Sequence, residues 1–496
     1  MTAPHPESRS DNDADVGAKT SAAGILADLD ALRGADLPVY GGRTLAYVYD
    51  AGLGPETADL AERAYAAMAG VNGLDMTAFP SVVALENDVV GTTAHLLGGG
   101  PDTAGTFTSG GTESCLLAVL TAREHARASR GVTDPQLVLP VTAHAAFRKA
   151  AHLFGLDVVD IPVDPETFTP DPEAMAAAIT DRTALVVVSA PSYPHGVLDP
   201  VAAVAGHAAA RGVLCHVDAC IGGWLLGHAR RLPGSAIPDF GLAVPGVTSL
   251  SVDLHKYAYT PKGASVVLFR DAELRRHGYF ASASWPGYPV VNATLQGTKS
   301  AGPLAAAWAV LRHIGDAGYA DLADRTLRTA AELRAGIAAI PGLRILGEPV
   351  GSLLAVASAD PAVDVFVVAD CLRAHGWYIQ PQPGVGGLPR TVHLTVTAAA
   401  AGKTAGLLDA LAAAVAEART LGPAEADPGL VEAAALIDPA ALTAAESAAI
   451  LELAGLGGGG AMPERMAPVL ALLEQLPAAL AERLLPDVIG GLFRLP

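Results

Sequence analysis

The feature that most restricts the fold of this chain is an alternation of short β-branched runs with helix-like segments between residues 80 and 285. The runs are LVLPVT at 137–142, DVVDIPV at 157–163, TALVVVSA at 183–190, GVLCHVDA at 212–219, TSLSVDL at 248–254 and ASVVLF at 264–269. This alternation predicts an α/β fold, and strands so continuously apolar suit a mostly parallel sheet that helices cover on both faces.

The remaining sequence divides the chain further. A long helical connection at 302–340 precedes the strand-like segments RILGEP, LLAVAS and TVHLTVTA, which predict a smaller α+β domain. We therefore expect a polar tail at 1–22, an N-terminal segment at 23–85, a large domain at 86–285, a small C-terminal domain at 286–422 and an Ala/Leu/Pro-rich helical tail at 423–496. The last helix is predicted at about 464–485, with an apolar stripe for docking on the body or on a second subunit.

Composition excludes several classes of function. The chain carries 51 acidic against 32 basic residues, a net charge of −19, which argues against a nucleic-acid partner. No apolar run approaches the ~20 residues of a membrane helix, and the polar N-terminus does not resemble a signal peptide. Four dispersed cysteines, without a CxxC pair, indicate buried thiols in a reducing cytoplasm, and neither HExxH nor clustered histidines suggest a metal. We expect a cytoplasmic protein without a transmembrane segment.

A lysine follows the fifth of these runs, in the stretch SVDLHKYAYTPKG at residues 251–263. Most lysines lie on the surface. Lys256, however, follows the carboxyl end of a predicted buried strand, which is where ligands bind in open α/β folds. A lysine in a partly dry pocket can act as a nucleophile or form a Schiff base with a carbonyl group. The stretch therefore makes Lys256 a candidate catalytic residue.

Three further motifs gain meaning from their combination with Lys256. In TFTSGGTES, at 106–114, Gly110 and Gly111 allow close approach of the backbone, and Thr112 with the free amides of the next helix can bind phosphate. Asp218 in HVDACIGGW is a candidate partner for the nitrogen of a pyridine ring, although a lone aspartate there is usually a helix cap. His144, after the strand LVLPVT, can stack on such a ring. Together they predict pyridoxal 5'-phosphate chemistry.

The ordered motifs TSGGTES, TAHAAFRKAA, PHGVLDP, HVDACIGGW and SVDLHKYAYTPKG resemble the group II pyridoxal-phosphate-dependent decarboxylase superfamily, and within it the sphingosine-1-phosphate lyase-like members. The resemblance runs from about residue 45 to 420. It implies a fold-type I enzyme with a mostly parallel seven-stranded sheet and a small α+β C-terminal domain. It also implies a homodimer with two active sites at the subunit interface, to which the segment 23–85 contributes.

The resemblance assigns roles to particular positions. Lys256 matches the lysine that bonds the cofactor, Asp218 the partner of the pyridine nitrogen, and His144 the residue stacked on the ring. The remaining matches concern the cofactor phosphate and the substrate. They are Gly110, Gly111, Thr112 and His255 at the cofactor phosphate, Gly297 and Thr298 at the phosphate of the neighbouring subunit's cofactor, and Tyr49 and Lys262 in the substrate pocket.

Two positions depart from the pattern. NGLDMTAFP places Asp75 where the family usually has a histidine, so that a carboxylate stands near the expected substrate and would repel an anionic head group. Lys299 stands where the family often has arginine, which keeps the charge and loses the bidentate fork. These departures leave open whether the substrate carries a phosphate.

The implied reaction is a retro-aldol cleavage of a long-chain amino alcohol, phosphorylated or not, into an aldehyde and an amine such as phosphoethanolamine. By resemblance and position, the candidates for the base are Tyr49, Tyr193 and Lys262. One alternative keeps the cofactor and makes the protein an L-amino-acid α-decarboxylase. An alternative of another class is a catalytically retired homologue that acts as a scaffold through its helical tail, against which the intact Lys256, Asp218 and His144 argue.

Overall fold

A computed structural model describes residues 21–456 and 463–493 of the chain. These residues fall into two compact units, one formed by 39–423 and the other by the described parts of 1–38 and 424–496. Residues 1–20 of the predicted polar tail lie outside the described residues. The first helix, α1 (Ala22–Arg33), belongs to the second unit and begins where the Ser21 side chain accepts a hydrogen bond from the backbone N–H of Gly24.

The larger unit is built on a seven-stranded sheet. Its strands are β1 (Ala104–Thr108), β2 (Gln136–Pro140), β3 (Asp157–Ile161), β4 (Thr183–Ser189), β5 (Leu214–Asp218), β6 (Ser249–Asp253) and β7 (Ser265–Phe269). Their order is β1-β7-β6-β5-β4-β2-β3. Strand β7 runs antiparallel to both neighbours, and the other pairs are parallel. The prediction of a mostly parallel seven-stranded sheet is confirmed; β1 is the strand that the β-branched runs did not indicate.

Helices cover both faces of this sheet. The helices of this region are α2 (Pro55–Met68), α3 (Pro80–Leu96), α4 (Gly111–Arg130), α5 (Ala145–Phe154), α6 (Pro172–Ala177), α7 (Val201–Ala210), α8 (Gly223–Ala229) and α9 (Ala272–Arg275). Along β4, Val186 and Val188 pack into one hydrophobic cluster while Leu185 and Val187 pack into the other. Because successive side chains of a strand point to opposite faces, this split shows that both faces are buried.

A long helix, α10 (Gly302–Ala338), leads from the large sheet to a small one. It is interrupted at Gly315, whose φ of 64° and ψ of 172° are not helical. A hairpin of β8 (Phe280–Ser282) and β9 (Val290–Asn292) precedes it. The small sheet contains β10 (Leu343–Ile345), β11 (Leu353–Ser358), β12 (Gln380–Gln382) and β13 (Thr391–Thr395) in the antiparallel order β10-β11-β13-β12, with helices α11 (Val365–Ala374) and α12 (Thr404–Leu421). The α+β character predicted for this region is confirmed.

The C-terminal part of the second unit contains four short helices, α13 (Pro428–Ala435), α14 (Ala444–Leu453), α15 (Ala467–Gln475) and α16 (Ala478–Gly490). The prediction of one helix over 464–485 is wrong. Leu476 has an extended backbone (φ −68°, ψ 145°) because the next residue, Pro477, disfavours helical geometry at the position before it and lacks an N–H. Leu480 and Leu484 of the predicted stripe are buried with Ala434 and Leu451. Within the described residues, every helix falls short of the length and apolarity that crossing a membrane requires.

Candidate active site

A cavity of about 390 Å³ lies where β4, β5 and β6 end and α4 begins. Its position at the carboxyl ends of parallel strands is the usual ligand position of this architecture. The structure brings seven of the predicted site residues together in its lining: Gly110, Gly111, Thr112, His144, Asp218, His255 and Lys256.

The first turn of α4 forms an anion-binding end of this cavity. Gly110 is the N-cap residue and has no side chain to occupy the free amides of the turn. A Cβ on Gly111 would lie 2.7 Å from both carboxylate oxygens of Asp253, so only glycine fits this position. The buried Glu113 holds the turn from behind, since its carboxylate accepts hydrogen bonds from the backbone N–H and the hydroxyl of Ser109, both at 2.7 Å.

Lys256 forms an ion pair that the sequence analysis did not anticipate. Its Nζ lies 3.0 Å from Oδ2 of Asp253, and His255 Nε2 lies 3.5 Å from the same oxygen. Burial alone lowers the pKa of Lys256, but the neighbouring acidic groups, Asp253 first among them, together outweigh burial and hold that pKa well above its usual value. Burial raises the pKa of Asp253, and the charges of Lys256 and His255 reverse this, so it is lowered. The lysine is therefore held as an ammonium ion before any ligand binds.

Asp218, the last residue of β5, is held by a buried polar network. Its Oδ1 accepts hydrogen bonds from the backbone N–H of Cys220 at 3.0 Å and from the Ser251 hydroxyl at 3.3 Å. Behind them, Nε2 of His216 lies 3.1 Å from the Ser251 hydroxyl. Burial lowers the pKa of His216 to about 4, so this ring stays neutral at physiological pH. The network fixes the carboxylate without placing a second charge beside it.

Ser251 and Asp253 are not among the predicted site residues, although the sequence contains a signal for them. Ser249, Ser251 and Asp253 occupy every second position of β6, a strand whose five residues are all buried. Alternate residues of a strand share one face. A polar row on a buried strand requires polar partners, and the row ends three residues before Lys256.

His144 is fixed by the start of α5, where it is the N-cap residue. Its Nδ1 accepts a hydrogen bond from the backbone N–H of Ala146 at 3.2 Å, which places the proton of the neutral ring on Nε2. Tyr193 lies edge-on to this ring at 6.5 Å and stacks on His393 of β13 at 4.4 Å. The hydroxyl of Tyr193 donates to Oε1 of Gln380 at 2.6 Å. The small sheet thus holds a tyrosine in the wall of the cavity.

Tyr49 and Lys262 line a second cavity, of about 400 Å³, that shares His255 with the first. The Nζ of Lys262 lies 5.0 Å from the centre of the Tyr49 ring and donates to the carbonyl oxygen of Tyr47 at 3.4 Å. Desolvation and the neighbouring Lys256 lower the pKa of Lys262. Burial raises the pKa of Tyr49, an effect that Lys256 partly offsets. These two side chains lie beside the Lys256 cavity.

Three predicted site residues, Gly297, Thr298 and Asp75, do not line either of these two cavities. Thr298 lines a separate cavity of about 310 Å³, and Gly297 lies next to it. The backbone N–H of Leu295 in the same loop donates to Oε1 of Glu113 at 2.9 Å. Asp75 is exposed, and its Oδ1 accepts from the backbone and hydroxyl of Thr77 at 2.9 and 2.6 Å. The roles inferred for these residues stay predictions.

All four cysteines are free and buried, as the sequence predicted. The fold also brings two of them together, which their spacing did not indicate: Cys115 Sγ, Cys220 Sγ and a carboxylate oxygen of Asp218 lie within 4.8 Å of one another. The hydrogen bond from Cys115 and burial raise the pKa of the Cys220 thiol well above its usual value. Both thiols and Asp218 lie in the wall of the Lys256 cavity.

The donor set fits pyridoxal 5'-phosphate. The glycine-lined amides suit the phosphate, Asp218 suits a protonated ring nitrogen, and Lys256 suits the aldehyde carbon. Two observations indicate that the first turn of α4 and Asp253 face a ligand. Oδ1 of Asp253 is buried without a hydrogen-bond partner among the described residues, and the space at Gly111 is kept free of a Cβ atom.

Comparisons with known proteins agree with this geometry. Residues 54–355 match the pyridoxal-dependent decarboxylase conserved domain, and residues 428–491 match a pyridoxal-dependent enzyme, C-terminal putative HTH domain. The chain is 37% identical over 380 residues to sphingosine-1-phosphate lyase of Oryza sativa, covering 75% of this chain and 69% of that protein. It is 37% identical to sphingosine-1-phosphate lyase 1 of Rattus norvegicus, covering 69% of this chain and 59% of that protein.

Solved structures give the same result. The sphingosine-1-phosphate lyase of Burkholderia pseudomallei superimposes with a TM-score of 0.76 at 36% identity, over 85% of this chain and 94% of that one. Glutamate decarboxylase of Lactobacillus brevis, at 20% identity and a TM-score of 0.70, shares the fold.

Proposed function

The chain belongs to the pyridoxal-dependent decarboxylase family, and from that premise we propose that it cleaves the carbon–carbon bond of a phosphorylated long-chain amino alcohol. The products are a long-chain aldehyde and phosphoethanolamine. The observation that carries the proposal is the Lys256–Asp253 pair inside a cavity that also contains Asp218, His144 and the first turn of α4. The choice of bond and substrate rests on 35–37% identity to sphingosine-1-phosphate lyases from several organisms.

The chain's own residues account for cofactor binding. The amides of Gly110, Gly111 and Thr112 would bind its phosphate, Asp218 would pair with the ring nitrogen, and His144 lines the same cavity. Bound pyridoxal phosphate supplies an electron sink for the electron pair of the broken bond. Asp253 holds the Lys256 amine in place, and its negative charge opposes the loss of a proton from Nζ, which the amine would have to lose before it could bond a carbonyl carbon.

The substrate hydroxyl must lose a proton for the bond to break. Burial raises the pKa of Tyr193 to about 12, which leaves its phenol protonated. The pKa of Lys262, in contrast, is lowered, so a neutral amine is more accessible there than at an ordinary lysine. Lys262, whose Nζ lies 5.0 Å from the centre of the Tyr49 ring, therefore stays one of the three candidates for the proton acceptor.

A homodimer is part of the proposal. The hairpin and the loop that follows it expose several large apolar side chains, which supports an interface with another protein surface. They are Phe280, Trp285, Tyr288, Val291 and Leu295. The same segment leads to Gly297 and Thr298; Thr298 lines a cavity that shares Ser109 and Glu113 with the Lys256 cavity but does not include Lys256. We also propose a cytoplasmic location, which the four free buried thiols support.

The test is mass spectrometry of the products after the cofactor-loaded protein is incubated with sphinganine-1-phosphate, and separately with a panel of free amino acids. We expect a long-chain aldehyde and phosphoethanolamine from the first incubation. Amines that are lighter than their parent amino acids by one carbon dioxide, with no aldehyde, would instead make the protein a decarboxylase.

A further inference from the structure

The four C-terminal helices enclose a cavity of about 210 Å³ that the reaction does not use. Nineteen described residues line this C-terminal cavity, and every one of them is leucine, isoleucine, valine, alanine or methionine. An engineered apolar cavity of about 150 Å³ stays dry and binds small hydrocarbons. The C-terminal cavity is larger than that example, and its lining favours a hydrocarbon over water.

The cavity also reaches the surface. Of the lining side chains, Leu453 is 70% exposed and Leu485 is 46% exposed, whereas Leu451 and Leu484 are buried. Exposed apolar area costs roughly 25 cal/mol per Å², so a ligand that covers these side chains stabilises the helices as it enters. The opening gives a chain-like molecule a route in, with its head group left at the rim.

The net charge of the C-terminal helices limits which ligands the C-terminal cavity can bind. Residues 428–491 contain eight acidic residues and two basic ones, Arg465 and Arg483. Arg483 is already paired with Asp487, at 2.8 Å. Binding to nucleic acid depends on unpaired cations facing the phosphates, so this charge balance opposes the DNA binding that the matched domain's description suggests. It equally opposes a phosphorylated or carboxylated lipid head group.

We propose that the C-terminal cavity binds the hydrocarbon chain of an uncharged single-chain lipid, and specifically the long-chain aldehyde released by this enzyme. The identity of the aldehyde rests on the proposed function, while the preference for an uncharged chain rests on the lining and the charge. The phosphorylated substrate is excluded by the acidic surface, so the cavity distinguishes product from substrate. It gives a poorly soluble product a dry place on the enzyme that made it.

The experiment uses the full chain carrying Lys256→Ala, which removes turnover and the reactive amine of the catalytic cavity. The dye 1-aminoanthracene is bound, and its displacement by 1-dodecanol, dodecanoate and dodecyl phosphate is measured by fluorescence. We expect displacement by the alcohol, and at least tenfold weaker displacement by both anions. Ala481→Phe fills the cavity and should weaken the alcohol at least tenfold. Ala479→Phe, on the exposed face of the same helix, is the matched control and should leave it unchanged.

Equal alcohol affinity in the two phenylalanine variants, or anions that bind as tightly as the alcohol, overturns the proposal. Should Ala481→Phe fail to fold, Leu473→Ala enlarges the cavity and should shift the preferred alcohol to a longer chain; an unchanged chain-length preference counts against the site. Cleavage of sphinganine-1-phosphate is assayed separately with Lys256 intact. Alcohol binding without cleavage refutes the aldehyde as the ligand and the lyase reaction with it, whereas cleavage without alcohol binding refutes the cavity.

Discussion

The catalytic cavity and the C-terminal cavity show opposite ways to make a dry site. In the first, the buried Asp253 pairs with the half-buried Lys256, and Asp218 is held by the Ser251 hydroxyl and a backbone amide. In the second, the lining is aliphatic throughout. Buried charges require fixed partners, which constrains residue type at each position. Aliphatic side chains of similar volume replace one another readily. A catalytic site can therefore be recognised from a motif of particular residues in the sequence. A hydrocarbon-binding site shows only as a segment rich in aliphatic residues.

The largest expected effect on catalysis comes from Lys256→Arg. A guanidinium keeps the positive charge beside Asp253 but cannot form the bond to the cofactor carbon. We expect kcat/KM to fall by roughly 10³-fold or more. Borohydride reduction followed by mass spectrometry should find the cofactor attached to the wild-type protein and absent from the variant.

The comparison of the two cavities requires that this variant still binds 1-dodecanol as the wild type does. A parallel loss of alcohol binding would show that the two sites are not independent.

Asp253→Asn comes next, with an expected loss of about 3–5 kcal/mol in the free energy of unfolding of the apoprotein, because the Lys256 ammonium ion loses its buried partner. The raised pKa of Lys256 gives stability that is present below pH 10.5 and is lost as pH rises further. The lowered pKa of Asp253 gives stability that is lost as pH falls below 3.8. The difference between wild type and variant in chemical denaturation should therefore be largest between these limits.

A double-mutant cycle with Lys256→Ala provides the control for Asp253→Asn. Without the ammonium ion, removal of the carboxylate charge should cost much less. Equal costs in both backgrounds would mean that the ion pair contributes nothing to stability.

Asp199→Asn should have a smaller effect, and one that depends on pH. Burial raises the pKa of Asp199 to about 7, while its Oδ2 accepts from the backbone N–H of Ser189. The folded apoprotein therefore binds this proton more tightly than the unfolded chain, and stability falls as pH rises from about 4 to 7. In the variant, the free energy of unfolding should not fall between pH 4 and pH 7, which urea unfolding at both pH values measures. A wild-type protein equally stable at both would contradict the prediction.

Leu484→Ala should affect catalysis least. Leu484 is 4% exposed in the core of the C-terminal helices, and its truncation should destabilise them by about 2–4 kcal/mol. We expect kcat/KM to change less than twofold while amide hydrogen exchange accelerates in α14 and α16. Ala479→Phe, exposed on α16, serves as the control. Slowed catalysis would show that the C-terminal helices take part in the reaction.

The sequence predicted the sheet because β-branched runs such as TALVVVSA coincide with strands that are buried on both faces. It predicted Lys256, Asp218 and His144 as site residues because the motifs that contain them occur together and in a recognisable order along the chain. It missed β1, since AGTFT contains one glycine and no run of β-branched residues. It missed Asp253 because its importance comes from a 3.0 Å contact with a neighbour. The break at Leu476 depended on a single proline within an otherwise continuous apolar stripe.

The interruption at Gly315 divides α10 into two helical segments. Regular i to i−4 hydrogen bonding cannot continue through a residue with a positive φ and a ψ of 172°, so the segment before Gly315 and the segment after it form separate rods. Both segments pack on the core of the large sheet, the first through Leu304 and Ala307 and the second through Tyr319 and Leu322, and α10 continues to the strand β10 of the small sheet. The kink therefore lets one long helix follow the core of the large sheet on both sides of Gly315 and still end beside the small sheet.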